Sequence, residues 1–121
     1  MSTEAFTIER VEKELRAAHE AAVERNEGKV RVCSRRAAGA AIAGYLAHHP
    51  GNDWGSDALR QLQHLSDEAS FPKEIRDAAA RLTTRITDKF QYPFSTDPVA
   101  DARLIADHFI RLMNADAHRG V

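Results

Sequence analysis

The chain has a single cysteine, Cys33, among 121 residues. No intramolecular disulfide can form, and packing alone must hold the fold. Neither sign of charge is in excess: 17 Lys and Arg stand against 18 Asp and Glu, for a formal net charge of −1. That excludes a whole-molecule field for drawing in nucleic acid or acidic membranes, and leaves electrostatic recognition to local patches. Long hydrophobic runs are also missing. The richest stretch, residues 37–47, is interrupted by Gly39, Gly44 and Tyr45 and is much shorter than the roughly 20 apolar residues a bilayer demands. No membrane association is expected. Met1-Ser2-Thr3-Glu4-Ala5 has no basic region leading into an apolar one, so a secretory signal is not expected. A lone thiol in apolar surroundings behaves as a small hydrophobe and points to a reducing, cytoplasmic setting.

Strand periodicity is absent too. No segment alternates apolar and polar residues as a half-buried strand requires, and Val30-Arg31-Val32 is short and lies in helical context. Helical periodicity is present instead. Ile8, Val11, Leu15, Ala18 and Ala22 recur at steps of three and four, which predicts an amphipathic helix over 4–25. Asn26-Glu27-Gly28 follows as a tight turn, with glycine suited to the left-handed end of a helix. A second helix over 29–48 is small or apolar at nearly every position from 37 to 47, the pattern of a helix surrounded on most sides. His48-His49 then precede Pro50-Gly51, a marked stop.

Ser56 or Asp57 can cap a short third helix, 56–69, carrying Leu59, Leu62 and Leu65. Ile75, Ala79, Leu82, Ile86 and Phe90 predict a fourth helix over 72–90. Asp97-Pro98 reads as cap and first residue of a fifth, 97–115, with residues 117–121 frayed. The whole is an all-α antiparallel bundle of about five helices around one core, in a single domain spanning 1–121.

The chemistry-bearing candidates are few. There is no phosphate-cradling glycine loop and no Gly-x-Ser-x-Gly elbow. The six histidines show no metal-ligand spacing, and no metal or cofactor is expected. Cys33 reads as a packed thiol rather than a nucleophile. Arg31, Arg35 and Arg36 cluster at the start of the second helix. They are placed either to pair with acids such as Glu24 and Glu27, or to contact a phosphate or nucleotide through their guanidinium groups. Arg81, Arg85 and Lys89 form a second basic stripe, which Asp77 and Asp88 turn into a salt-bridged, solvated face. Trp54, Tyr92 and Phe94 are loop aromatics suited to cover an open bundle end.

The segment from Asn26 to Gly39, Asn-Glu-Gly-Lys-Val-Arg-Val-Cys-Ser-Arg-Arg-Ala-Ala-Gly, resembles the turn into the long alanine-rich second helix of the HEPN domain family. Gln91-Tyr92-Pro93 and Asp97-Pro98-Val99-Ala100-Asp101-Ala102 resemble its Tyr-Pro connector and last helix. The resemblance implies a helical bundle, a homodimer, and a nucleotidyltransferase protein or a nucleotide or RNA as partner. Members that cleave RNA without metal carry an Arg and a His separated by four to six spacer residues, acting across a dimer interface. Arg103 and His108 have that spacing, although Leu104 stands where a polar residue is usual. Five residues of helix turn the two side chains about 140° apart. The leading expectation is therefore a non-catalytic interaction or nucleotide-binding module, with the ribonuclease as the alternative. A second resemblance, to tetratricopeptide-type helix pairs, rests on the short turn and the alanines, but no unit repeats at a fixed period.

Overall fold

The computed structural model describes residues 2–84 and 97–119, and among these it holds five helices and no strand. They are α1 (Thr3–Val23), α2 (Glu27–Ala47), α3 (Ala58–Asp67), α4 (Lys73–Thr83) and α5 (Pro98–Arg119). Local chemistry sets their starts. The Ser2 hydroxyl accepts from the Ala5 amide, Asn26 Oδ1 from Lys29, Asp57 Oδ1 from Arg60 and Asp97 Oδ1 from Ala100. Each satisfies one amide that the first helical turn leaves unpaired.

The α1–α2 turn corrects one expectation. Gly28 lies inside the first turn of α2, and it is Arg25 that takes the left-handed backbone, at φ 59°. The Arg25 amide donates to Ala22 O at 3.0 Å and the Asn26 amide to Ala21 O at 2.8 Å. This paired closure ends α1 despite the strain of a side chain in that conformation. With only three residues between them, α1 and α2 fold back as an antiparallel hairpin that sets Thr7 beside Gly44. A Cβ on Gly44 would stand 2.2 Å from Thr7 Oγ1, so glycine is what allows this approach.

A single cluster of buried side chains joins all five helices. Val11 and Leu15 of α1, Ala37, Ala41 and Ile42 of α2, Leu62 and Leu65 of α3, Ile75, Ala79 and Leu82 of α4, and Ile105 and Phe109 of α5 all belong to it. Trp54, from the α2–α3 loop, closes one end as expected of a loop aromatic and meets Phe71 and Phe109 edge-on. Tyr92 and Phe94 lie outside the described residues. Cys33 is buried, in keeping with a packed thiol.

Two helix ends differ from expectation. The stripe read through Ile86 and Phe90 would carry α4 to 90, but α4 stops at Thr83 and Thr84 is extended (φ −68°, ψ 139°). Residues 85–96 lie outside the described part. The Thr83 and Thr84 hydroxyls fold back onto the carbonyls of Ala79 and Ala80, which competes with the helical ladder. At the other end of the chain α5 continues to Arg119, past the expected 115 and into the segment read as frayed. Ala115 and Ala117 favour helix, and His49 Nε2 meets Asp116 Oδ2 at 2.9 Å, which ties the last turns to α2.

The end of α4 also decides where two of the clustered arginines go. Arg31, 3% exposed, directs Nη2 at Leu82 O (3.1 Å) and at Thr84 O, and Arg35 Nε donates to Leu82 O at 2.7 Å. Two cations therefore meet the carbonyls and negative dipole end of α4. Neither protrudes to pair with Glu24 or Glu27. Arg81 is not part of a solvated stripe either, since it grips the buried Asp101 of α5 with Nε and Nη2 at 2.9–3.2 Å. Arg85 and Lys89 lie outside the described residues.

Replacing Arg31 with Met keeps the apolar stem and removes charge-assisted bonds, and is expected to lower stability by about 2 kcal/mol. Arg36→Ala, on an exposed side chain, should stay within about 0.5 kcal/mol. Urea unfolding of both variants checks the difference, and equal losses would refute the capping role.

Candidate functional site

Arg36 follows Arg35 by one residue, a rotation of about 100° around the helix. That step separates it from the end of α4 and turns it to solvent. The sequence cluster is therefore two structural arginines and one surface arginine. On its own side Arg36 is joined by Arg10 of α1, and both line a groove of about 350 Å³ between α1, α2 and the start of α3.

The walls of this groove follow from the helix packing. Since Thr7 meets Gly44 across the antiparallel hairpin, Arg10 and Glu14 fall opposite the Arg36–Ala40 part of α2. Arg10 places its guanidinium 5.8 Å from the Phe6 ring centre, a cation–π contact one turn back along α1. The floor is Gly39, Ala40 and Ala43. A Cβ on Gly39 would stand 2.7 Å from Ala58 Cβ, so α3 starts directly against α2. Ser56 and Gln61 complete the far wall. Among the described residues neither Arg10 nor Arg36 forms an ion pair with a carboxylate. The Asp57 carboxylate at the same helix start is occupied by the Arg60 amide at 2.9 Å.

The pair suggested by the ribonuclease resemblance does not come together in the subunit. Arg103 reaches α1, where Nη1 lies 2.6 Å from Glu12 Oε1 and Nη2 3.1 Å from Oε2, with Asp107 Oδ1 at 3.8 Å. This bond holds the Glu12 carboxyl below its ordinary range, against a smaller opposing effect of burial. His108 instead packs edge-on to Phe71 at 5.8 Å, beyond α3. Burial pushes its pKa down, Arg111 adds to this, and Glu74 opposes it.

His49 and Asp116 border a larger cavity of about 490 Å³, with His48 at the end of α2 and Glu4 at the start of α1. His49 is stacked on Tyr45 at 4.1 Å and already paired with Asp116. The His49–Asp116 pair is thus already satisfied, unlike the cations of the groove. Among the described residues no group of three or more His, Cys, Asp or Glu is placed to hold a metal. No helix there is long and apolar enough to cross a membrane.

Arg10 and Gln61 were not singled out by sequence. The signal for Arg10 was its register in the hairpin, and for Gln61 its place beside Leu62 on the inward side of a short helix.

Glu12 and Arg103 are each about 40% exposed, so solvent holds their pairing to under about 1 kcal/mol. A carboxyl lowered in the folded state stabilises above its unfolded pKa, and this is lost as pH falls through the folded value. The stability difference between the native chain and Arg103→Ala should therefore be present at pH 7 and vanish in strong acid. Urea titrations across pH test this; a difference independent of pH would show that Glu12 is not the partner. No family model, curated protein or solved structure matches the chain, so the HEPN resemblance rests on the quoted residues alone.

Proposed function

We propose that this chain is a non-catalytic helical binding module whose groove, between α1, α2 and the start of α3, takes a phosphate-bearing ligand. One observation carries this reading: Arg10 and Arg36 line the same cavity and neither is paired with a carboxylate among the described residues. Guanidinium groups bind phosphate through paired, charge-assisted hydrogen bonds, so two such residues lining one groove supply charge and donors. The near-zero net charge fits a local site better than a surface for long nucleic acid. A homodimer and a nucleotidyltransferase partner, which the HEPN resemblance implies, are compatible with this reading and add no residue to it. The ribonuclease alternative needs Arg103 to leave Glu12 and His108 to leave Phe71, and no observation favours it.

Isothermal titration with inorganic phosphate and with a mononucleotide mixture at low salt should give saturable binding. Reversing both charges, Arg10→Glu with Arg36→Glu, should weaken it at least about tenfold while the melting temperature changes little. Single-stranded RNA incubated with the protein should remain uncut. Affinity that survives the double reversal would remove the groove from consideration, and RNA cleavage abolished by His108→Ala would reinstate the alternative.

A further inference from the structure

Gln61 is 6% exposed and lines the groove. Its Nε2 donates to Gly55 O at 3.2 Å. Since a carbonyl can only accept, that bond fixes which end of the amide is which. The other end, Oε1, accepts no hydrogen bond among the described residues. It lies 3.6 Å from the place where a Cβ on Gly39 would stand, on the groove floor. Oε1 is not sealed from solvent, so it is open to a donor from whatever fills the groove.

A second acceptor stands on the opposite wall. Glu14 is one turn beyond Arg10 on α1, half-buried, and forms no ion pair among the described residues. The groove thus has two characters: the guanidinium groups of Arg10 and Arg36 with the Ser56 hydroxyl donate, whereas Glu14 and Gln61 Oε1 accept. Inorganic phosphate would use only the first set. The volume of the groove, about 350 Å³, is at the small end of the range for small-molecule sites. One nucleotide-sized body fits that space better than a strand, and Glu14 disfavours a second anionic group.

Resting on the phosphate-binding reading above, we propose that the groove recognises a single phosphate monoester whose body bears hydroxyl or amino donors, the class of the nucleoside monophosphates and pentose phosphates. The phosphate lies against Arg10, Arg36 and Ser56. The donors of the sugar or base meet Glu14 and Gln61 Oε1.

Titration of the full chain with inorganic phosphate, ribose 5-phosphate and the four ribonucleoside 5′-monophosphates tests this. The organic monoesters are expected to bind at least about tenfold more tightly than inorganic phosphate, which the two added acceptors make reasonable. Ribose 5-phosphate matching the nucleotides would assign the donors to the sugar, and a clear preference among nucleotides would assign one to the base. Glu14→Ala should reduce the preference over inorganic phosphate at least about threefold without weakening inorganic phosphate itself. Gln61→Met, with folding checked by its melting curve, should do the same. Inorganic phosphate binding as tightly as the esters, through Arg36, would overturn this inference and leave the phosphate-binding reading intact. A preference unmoved by either variant would overturn it as well. Failure of every probe to bind would overturn both.

Discussion

The structure depends on how closely other helices can approach α2. A helix whose inner positions are alanine and glycine exposes backbone to its neighbours, and dispersion attraction grows as surfaces close. Gly44 admits Thr7 of α1 and Gly39 admits Ala58 of α3, on different sides of the same helix. α5 packs along a further side, and α4 touches α2 mainly at its end, through Arg31 and Arg35. A larger side chain at either glycine would push out a whole helix rather than a single residue, and the groove, bounded by α1 and α3, would change shape with it.

This centre was legible in the sequence, because an uninterrupted small-residue helix has no other stable place than the inside of a bundle. The cap at Asp97 was legible, as was that of α3 to within Ser56 or Asp57, since each precedes a periodic segment and has the side chain that cap geometry requires, whereas Asn26 was read as part of a turn and caps α2 instead. The last residues of α4 were not. A hydrophobic stripe reports which face a segment would bury if helical, and Thr83-Thr84 decided the matter through hydroxyls that periodicity does not weigh. The left-handed residue of the first turn was misplaced for a related reason: the preference of glycine for that conformation is strong, yet a well-paired helix end imposed it on Arg25.

The arginines show why the candidate site was only partly visible. Arg31, Arg35 and Arg36 look alike in the chain, and their separation arises from helical rotation combined with the position of α4, a long-range fact. Their charge was correctly singled out, but two of the three serve the fold. The groove draws on three helices and a loop, and its members are 10, 14, 36, 56 and 61 residues along the chain, with no local spacing to betray them. Only the register of the α1–α2 hairpin links Arg10 to Arg36, and that register is set by the Thr7–Gly44 contact.

The capping of α4 by α2 has a kinetic side. The donors that finish α4 lie 47 to 53 residues earlier in the chain than the carbonyls they meet. Most helices in a bundle are completed by neighbours in sequence, which is why such folds form quickly. Here the last carbonyls of α4 gain their donors only once a distant helix has docked, so the hold on that end depends on the docking and not on α4 alone. The end of α4 would then loosen together with the α2–α4 contact rather than fray on its own.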